Sequence, residues 1–176
     1  GSVLSGTTYP SDDPEMLAVE ADYAAREAQL QEEIDNIENS HPGYDEYRYD
    51  LDMIGHDPHE LAAFLSAVLQ GYTRQSAQAE LARVFAAQYQ LTLTEEVEIR
   101  YRTETSTDPE TGETTSEEVP YEYYILNVKL TSKPISAVAS ELLTPEQMEM
   151  YQVYRQTTGN KPLLFGGGSP DTSGSE

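Results

Sequence analysis

The stretch LTLTEEVEIRYRTETSTDPETGETTSEEVPYEYYILNVKLT, Leu91–Thr131, decides the fold. Its first arm alternates Leu91, Leu93, Val97, Ile99 and Tyr101 with Thr92, Thr94, Glu96, Glu98, Arg100 and Arg102. A period of two is the mark of a strand. Its second arm, Val119–Thr131, is rich in Tyr, Ile and Val, which favour strands. Between them stands Asp108-Pro109-Glu110-Thr111-Gly112. Asp then Pro suits a type I turn, and Gly takes the left-handed position after it. Pairing Asp108 with Glu113 sets Val97 against Tyr124, Leu93 against Val128 and Leu91 against Leu130. That register gives one apolar face, and a slip of one residue would break it. On the other face Arg100 and Arg102 are expected to meet Tyr121 and Val119. The tip, Thr103–Glu118, has no large apolar residue and is expected to project or fray.

Upstream the period is 3.6. Asp13 and Pro14 suit a cap and a first helical position. Met16, Val19, Tyr23, Leu30, Ile34 and Ile37 then form one stripe of a long helix. Ser40-His41-Pro42-Gly43 stops it. Tyr47, Tyr49, Leu51 and Met53 alternate with Glu46, Arg48, Asp50 and Asp52, which reads as a short third strand or an extended loop pinned by tyrosines. Asp57-Pro58-His59-Glu60 opens another helix with a capping-box pattern, and Gly71 ends it. Thr73 is expected to cap its neighbour, which carries Ala77, Leu81, Val84, Phe85 and Tyr89. The short connection makes the two an antiparallel pair. Beyond the hairpin, Ile135, Val138 and Leu142 mark a short helix, and Thr144-Pro145-Glu146-Gln147 is a second capping box. The expected fold class is therefore α+β: a long N-terminal helix, an antiparallel helix pair, a long β-hairpin and two C-terminal helices. The expected boundaries are a linker over 1–12, a single domain over 13–165 and a Gly/Ser/Pro-rich linker over 166–176. The abrupt Gly1-Ser2 start reads as a fragment of a longer protein.

Composition excludes several functions. Among 176 residues, 32 are Asp or Glu and 10 are Lys or Arg, a net charge of −22. Such a chain is a poor ligand for phosphate backbones or anionic membranes. No apolar run approaches a membrane span, and no stretch reads as a signal peptide. The absence of cysteine removes thiolate nucleophiles, disulfides and Cys-ligated zinc.

Catalytic and metal motifs are missing. His56 and His59 flank a helix start, so they read as solvent-exposed loop residues rather than a metal pair. Asp50-Leu51-Asp52 resembles the start of a calcium loop, but Ile54 and Leu61 stand where oxygen ligands belong. No carboxylate pair is marked out for glycoside hydrolysis, and no nucleophile elbow, zinc-protease helix or phosphate loop occurs. Catalytic residues, metal ligands and cofactors are expected to be none. The 13 tyrosines, against 3 Phe and no Trp, are the remaining signal. Tyr44, Tyr47, Tyr121 and Tyr123, with Arg100 and Arg102, are the candidate binding residues, since Tyr and Arg are frequent interface anchors. Ordinary cross-strand pairing is the plainer reading of the same residues.

Several blocks carry a resemblance. They are Leu4-Ser5-Gly6-Thr7-Thr8-Tyr9-Pro10, His41-Pro42-Gly43-Tyr44-Asp45-Glu46-Tyr47, Gly55-His56-Asp57-Pro58, Tyr101-Arg102-Thr103-Glu104-Thr105, Val119-Pro120-Tyr121-Glu122-Tyr123-Tyr124 and Thr158-Gly159-Asn160-Lys161-Pro162. Together they resemble a segment of large proteins carried by conjugative transposons, mobile elements of Gram-positive bacteria. In that family the segment lies upstream of a cysteine-dependent peptidoglycan hydrolase domain of the CHAP or NlpC/P60 type. The resemblance implies a non-catalytic extracytoplasmic accessory domain of a cell-wall-remodelling protein, at the cell surface or wall, which positions a neighbouring hydrolase or docks on the transfer apparatus. It implies a protein partner or peptidoglycan, and no enzyme activity in this segment. The alternative is a carbohydrate-binding module that grips wall glycan through its tyrosines.

Overall fold

The computed structural model describes residues 6–166. Its elements are α1 (Asp13–Asp35), α2 (Ile37–Ser40), β1 (Glu46–Leu51), α3 (Pro58–Leu69), α4 (Gln78–Gln88), β2 (Tyr89–Thr107), β3 (Thr114–Ser132), α5 (Ile135–Leu142) and α6 (Pro145–Thr157), closed by a 3₁₀ turn at Thr158–Asn160. The fold is α+β, with a three-stranded sheet in the order β1-β3-β2. Contacts divide the chain into two compact units. A helical unit takes residues up to Ile34, Asp52–Gln90 and those from Thr131 onward. A sheet unit takes Asp35–Leu51 and Leu91–Leu130.

The helical unit is built on apolar stripes. Met16, Val19 and Tyr23 of α1 join Leu61, Phe64 and Leu65 of α3, Leu81 and Val84 of α4, Ile135 and Val138 of α5, and Tyr151 and Tyr154 of α6 in one core. α3 lies chiefly along α6, and α5 touches both α3 and α4. Local chemistry sets the helix starts. The Asp57 carboxylate accepts the His59 N–H at 2.8 Å, and Pro58 occupies the first turn. Glu60 does not close a box there; it turns to Arg155, 3.5 Å away. At α6 the box is complete: Gln147 N–H donates to Thr144 Oγ1 at 3.1 Å, and Thr144 N–H donates to Gln147 Oε1 at 3.0 Å. Thr73 caps a single turn instead of a helix. It exchanges hydrogen bonds with Ser76, and α4 starts only at Gln78.

The stretch read as a leading linker holds a core residue. Tyr9 is 2% exposed, and its N–H donates to the Gly159 carbonyl at 3.1 Å. Ser11 is buried too, its hydroxyl accepting the Tyr72 N–H. The trailing linker, apart from Gly166, lies outside the described residues.

In the sheet unit the hairpin register is the expected one. Asp108 N–H donates to the Glu113 carbonyl at 2.8 Å, and Ser106 meets Thr115 across the strands. Strand geometry runs to Thr107 and Thr114 along a fully exposed tip. The third strand forms, and it runs parallel to β3, with Glu46 beside Ile125 and Leu51 beside Leu130. The apolar face outlasts its cover. Val128 and Leu130 are buried and Leu91 and Leu93 half-buried, but Val97, Ile99 and Tyr101 are 46%, 57% and 63% exposed.

Candidate functional site

The sheet has one charged and one apolar face, because paired residues share a side. Glu46, Arg48, Glu96, Glu98, Arg100, Arg102, Tyr121 and Tyr123 lie on the charged face. The guanidinium of Arg100 sits 3.4 Å over the Tyr123 ring, and that of Arg102 sits 5.5 Å from the Tyr121 ring. Each arginine thus reaches the diagonal tyrosine, not the directly opposed Tyr121 and Val119. Long side chains span that diagonal, and the negative ring face attracts the cation. Arg100 Nη2 also lies 2.9 Å from Glu98, and the Tyr123 hydroxyl donates to Glu46 at 3.0 Å. Arg48 Nε donates to Glu46 at 2.6 Å. Hydrogen bonds from Arg48 and then Tyr123 hold the Glu46 carboxyl below the usual range. Arg102 pairs with Glu104 at 3.1 Å.

Four of the six candidate residues therefore come together, and Tyr44 and Tyr47 do not join them. Tyr47 points to the opposite face, where its hydroxyl donates to the His41 carbonyl at 2.6 Å. Tyr44 packs edge-on against it, with ring centres 5.7 Å apart. The tyrosines split by unit. Tyr9, Tyr23, Tyr72, Tyr89, Tyr151 and Tyr154 are buried in the helical unit, whereas no tyrosine of the sheet unit is buried.

The reading of His56 as a loop residue in solvent is overturned. Its side chain is 3% exposed, with Nδ1 2.9 Å from Glu27 Oε1 and Nε2 2.9 Å from Glu20 Oε1. A histidine that donates from both nitrogens is an imidazolium. Burial alone would lower its pKa. The hydrogen bonds to Glu20 and Glu27, and their charges, outweigh that and push it up to about 9. Around this pair the Tyr89 hydroxyl donates to Glu27 Oε2 at 2.5 Å and accepts the Gly55 N–H at 2.9 Å. The Tyr23 hydroxyl donates to Gln88 at 2.6 Å, and Gln88 donates to the Gly55 carbonyl at 3.2 Å. With both ring nitrogens committed, His56 has no lone pair to offer as a base. The cluster clamps Gly55-His56 onto α1 and the end of α4. His59 is held too: the Tyr9 hydroxyl lies 2.7 Å from its Nδ1, and the Phe165 ring packs edge-on against it. The alternating pattern offered no warning, since Glu20 and Glu27 are two acids among 32.

Other sites are sparse. A groove of about 860 Å³ is lined by Glu15, Asp22, Arg26, Gln29, Arg74 and Gln78, with no aromatic ring for a sugar to stack on. Its Arg74 is held by both oxygens of Asp22, at 2.8 and 2.9 Å. Among the described residues, no group of three or more His, Asp or Glu is placed to hold a metal ion. Nor is any helix among them long and apolar enough to cross a membrane. No protein-family model matches the chain, and no curated protein or solved structure does.

Proposed function

We propose that this segment is a non-catalytic, extracytoplasmic accessory domain of a conjugative-element cell-wall-remodelling protein, which docks a protein partner and so positions a neighbouring hydrolase. The resemblance of the sequence blocks supplies the setting. The observation that carries the docking role is the hairpin: 19 residues per arm, with Val97, Ile99 and Tyr101 exposed in a row. Peptidoglycan is the less favoured partner, because Arg100 already covers the Tyr123 ring and Tyr44 and Tyr47 pack on each other.

Two measurements test the reading. The purified chain is run in a zymogram on Gram-positive peptidoglycan and sedimented with insoluble wall. A photo-crosslinking residue at position 101 is then activated on the surface of cells that carry the element. The expected result is no clearing, no saturable co-sedimentation and a discrete protein adduct. A clearing band, or saturable co-sedimentation with wall and no protein adduct, would overturn it.

A further inference from the structure

The two ends of the hairpin ladder fix which way β2 points its backbone groups. Asp108 N–H donates to the Glu113 carbonyl at 2.8 Å, and at the other end Lys133 N–H donates to the Gln88 carbonyl at 2.9 Å. Bonded and unbonded pairs alternate along an antiparallel ladder, so the even-numbered residues of this arm bond to β3. Tyr124 agrees from the other strand. Its carbonyl accepts the Asp45 N–H and its own N–H donates to the Asp45 carboxylate, each at 2.8 Å, so both groups are spent beside β1. Pro120 has the same parity, lies inside β3 and has no N–H to give. Val97, Ile99 and Tyr101 therefore turn their N–H and C=O groups away from β3. Among the described residues β2 is an outer strand of the sheet, so those groups line an open edge.

The same three residues carry exposed apolar side chains. Edge and apolar row coincide over five residues, roughly 17 Å of strand. Open edges recruit further strands. On the opposite face of this stretch stand Glu96, Glu98, Arg100 and Arg102, two acids followed by two bases.

That order selects the occupant. In an antiparallel pair built on this edge, outward groups must meet outward groups, so a twofold axis relating two copies passes through a residue. Through Val97 it would oppose Glu96 to Glu98. Through Tyr101 it would oppose Arg100 to Arg102. Through Glu98 or Arg100 it would oppose a charge to itself. Like charges across a ladder destabilise it. Through Ile99 each charge meets its opposite: Glu98 faces Arg100 of the second copy, Glu96 faces Arg102, and each pair occurs twice. The same axis lays Ile99 on Ile99 and Val97 on Tyr101, all as pairs that exchange both backbone bonds. Backbone parity, apolar row and charge order thus share one centre. The surroundings are balanced too, since Arg48 lies 4.0 Å from Glu96 and 3.8 Å from Glu98. The chain's net charge of −22 acts from outside this patch. Physiological salt screens such repulsion over about 8 Å.

We propose that the open edge of β2 binds a second copy of this chain: Val97–Tyr101 of the two copies pair antiparallel about a twofold axis at Ile99, and the two sheets join edge to edge. This rests on the docking reading and names the docked protein.

The test sediments the whole chain over a concentration series in physiological salt and follows amide exchange residue by residue. Expected are a concentration-dependent dimer and exchange at Val97, Ile99 and Tyr101 that slows as it forms. Glu98→Arg sets Arg against Arg100, and Arg100→Glu sets Glu against Glu98, so each variant alone should dimerise at least tenfold more weakly. Neither side chain is buried, and circular dichroism checks that both variants fold. Mixed in equal amounts, the two variants restore both pairs and should associate nearly as well as the wild type. Ile99→Pro, which removes an outward N–H without touching a charge, should also lose the dimer. A chain that stays monomeric at about 1 mM, a dimer that the three variants retain, or a mixture no stronger than its components overturns the proposal. If the chain is monomeric while the residue-101 crosslink on cells captures a different protein, self-pairing falls and the docking reading stands. A clearing zymogram removes the docking reading itself.

Discussion

His56 Nδ1 and Glu27 Oε1 stand 2.9 Å apart in the interior of the helical unit, and Glu20 holds the other ring nitrogen at the same distance. This is a buried charge with two opposite charges as its only compensation. The folded pKa is raised to about 9 from the ordinary 6.5. Below about pH 6.5 both states hold the proton, and the contribution is complete. Between 6.5 and 9 the unfolded chain has released a proton that the folded chain keeps, so stability falls as pH rises. Above 9 the contribution is gone. Its size is on the order of 3 kcal/mol. Tyrosine ionisation does not intrude, since the neighbours Tyr23 and Tyr89 are raised above 10 by burial. Urea unfolding at pH 6, 7.5 and 9 should show this loss in the wild type and a flat profile in His56→Gln. Equal slopes in the two proteins would remove the charged-histidine account.

Gly159 tests a different part of the helical unit. Its φ is +60°, a left-handed conformation that side chains resist, and a Cβ there would come within 2.3 Å of the Tyr9 ring. Gly159→Ala should therefore cost about 2–4 kcal/mol, from strain and displacement of Tyr9 together. Thermal unfolding measures it. Tyr9→Ala removes the clash, so the double variant should lose clearly less than the sum of the two single changes. Strict additivity would mean that Tyr9 is not what the glycine accommodates.

How much of this was legible follows from where the determining partners sit. The caps at Asp57 and Thr144, and the turn at Asp108–Gly112, act within four residues, so spacing alone located them. The hairpin register follows from that turn. The direction of β1 does not, because β1 reaches its partner β3 only after two helices and a whole strand, and no local turn constrains it. His56 is the clearest case on the site side. A histidine before a cap normally stands in water, and only the fold brings Glu20 and Glu27 to its two nitrogens. The burial of Tyr9 and Ser11, inside the stretch read as a linker, was hidden for the same reason. The pocket over Gly159 that takes Tyr9 is assembled from the far end of the chain. The open edge was half visible. Pro120 inside a strand pattern already fixes which residues of β3 do not bond to β2, but only the structure shows that, among the described residues, β2 is an outer strand of the sheet.

The hairpin tip closes the account of the sheet. Each arm is 19 residues, about 60 Å of extended chain at roughly 3.3 Å per residue. Every residue from Thr103 to Glu118 is exposed, and none is large and apolar. Such a segment adds backbone bonds at about the entropy cost of ordering them. Two strands without a core are marginal. The tip should therefore contribute almost nothing to global stability. Replacing Thr105–Ser116 by Asn-Gly keeps Glu104 opposite Glu117, an in-register pair of the kind that bonds across β2 and β3, and gives it a two-residue turn. The melting temperature should shift by no more than about 2 °C, and exchange protection at Ile125 and Val128, deep in β3, should be unchanged. If the shortened protein instead unfolds, or loses protection at those two amides, the tip belongs to the cooperative unit. The division of the hairpin into a supported base and an independent distal half would then be wrong.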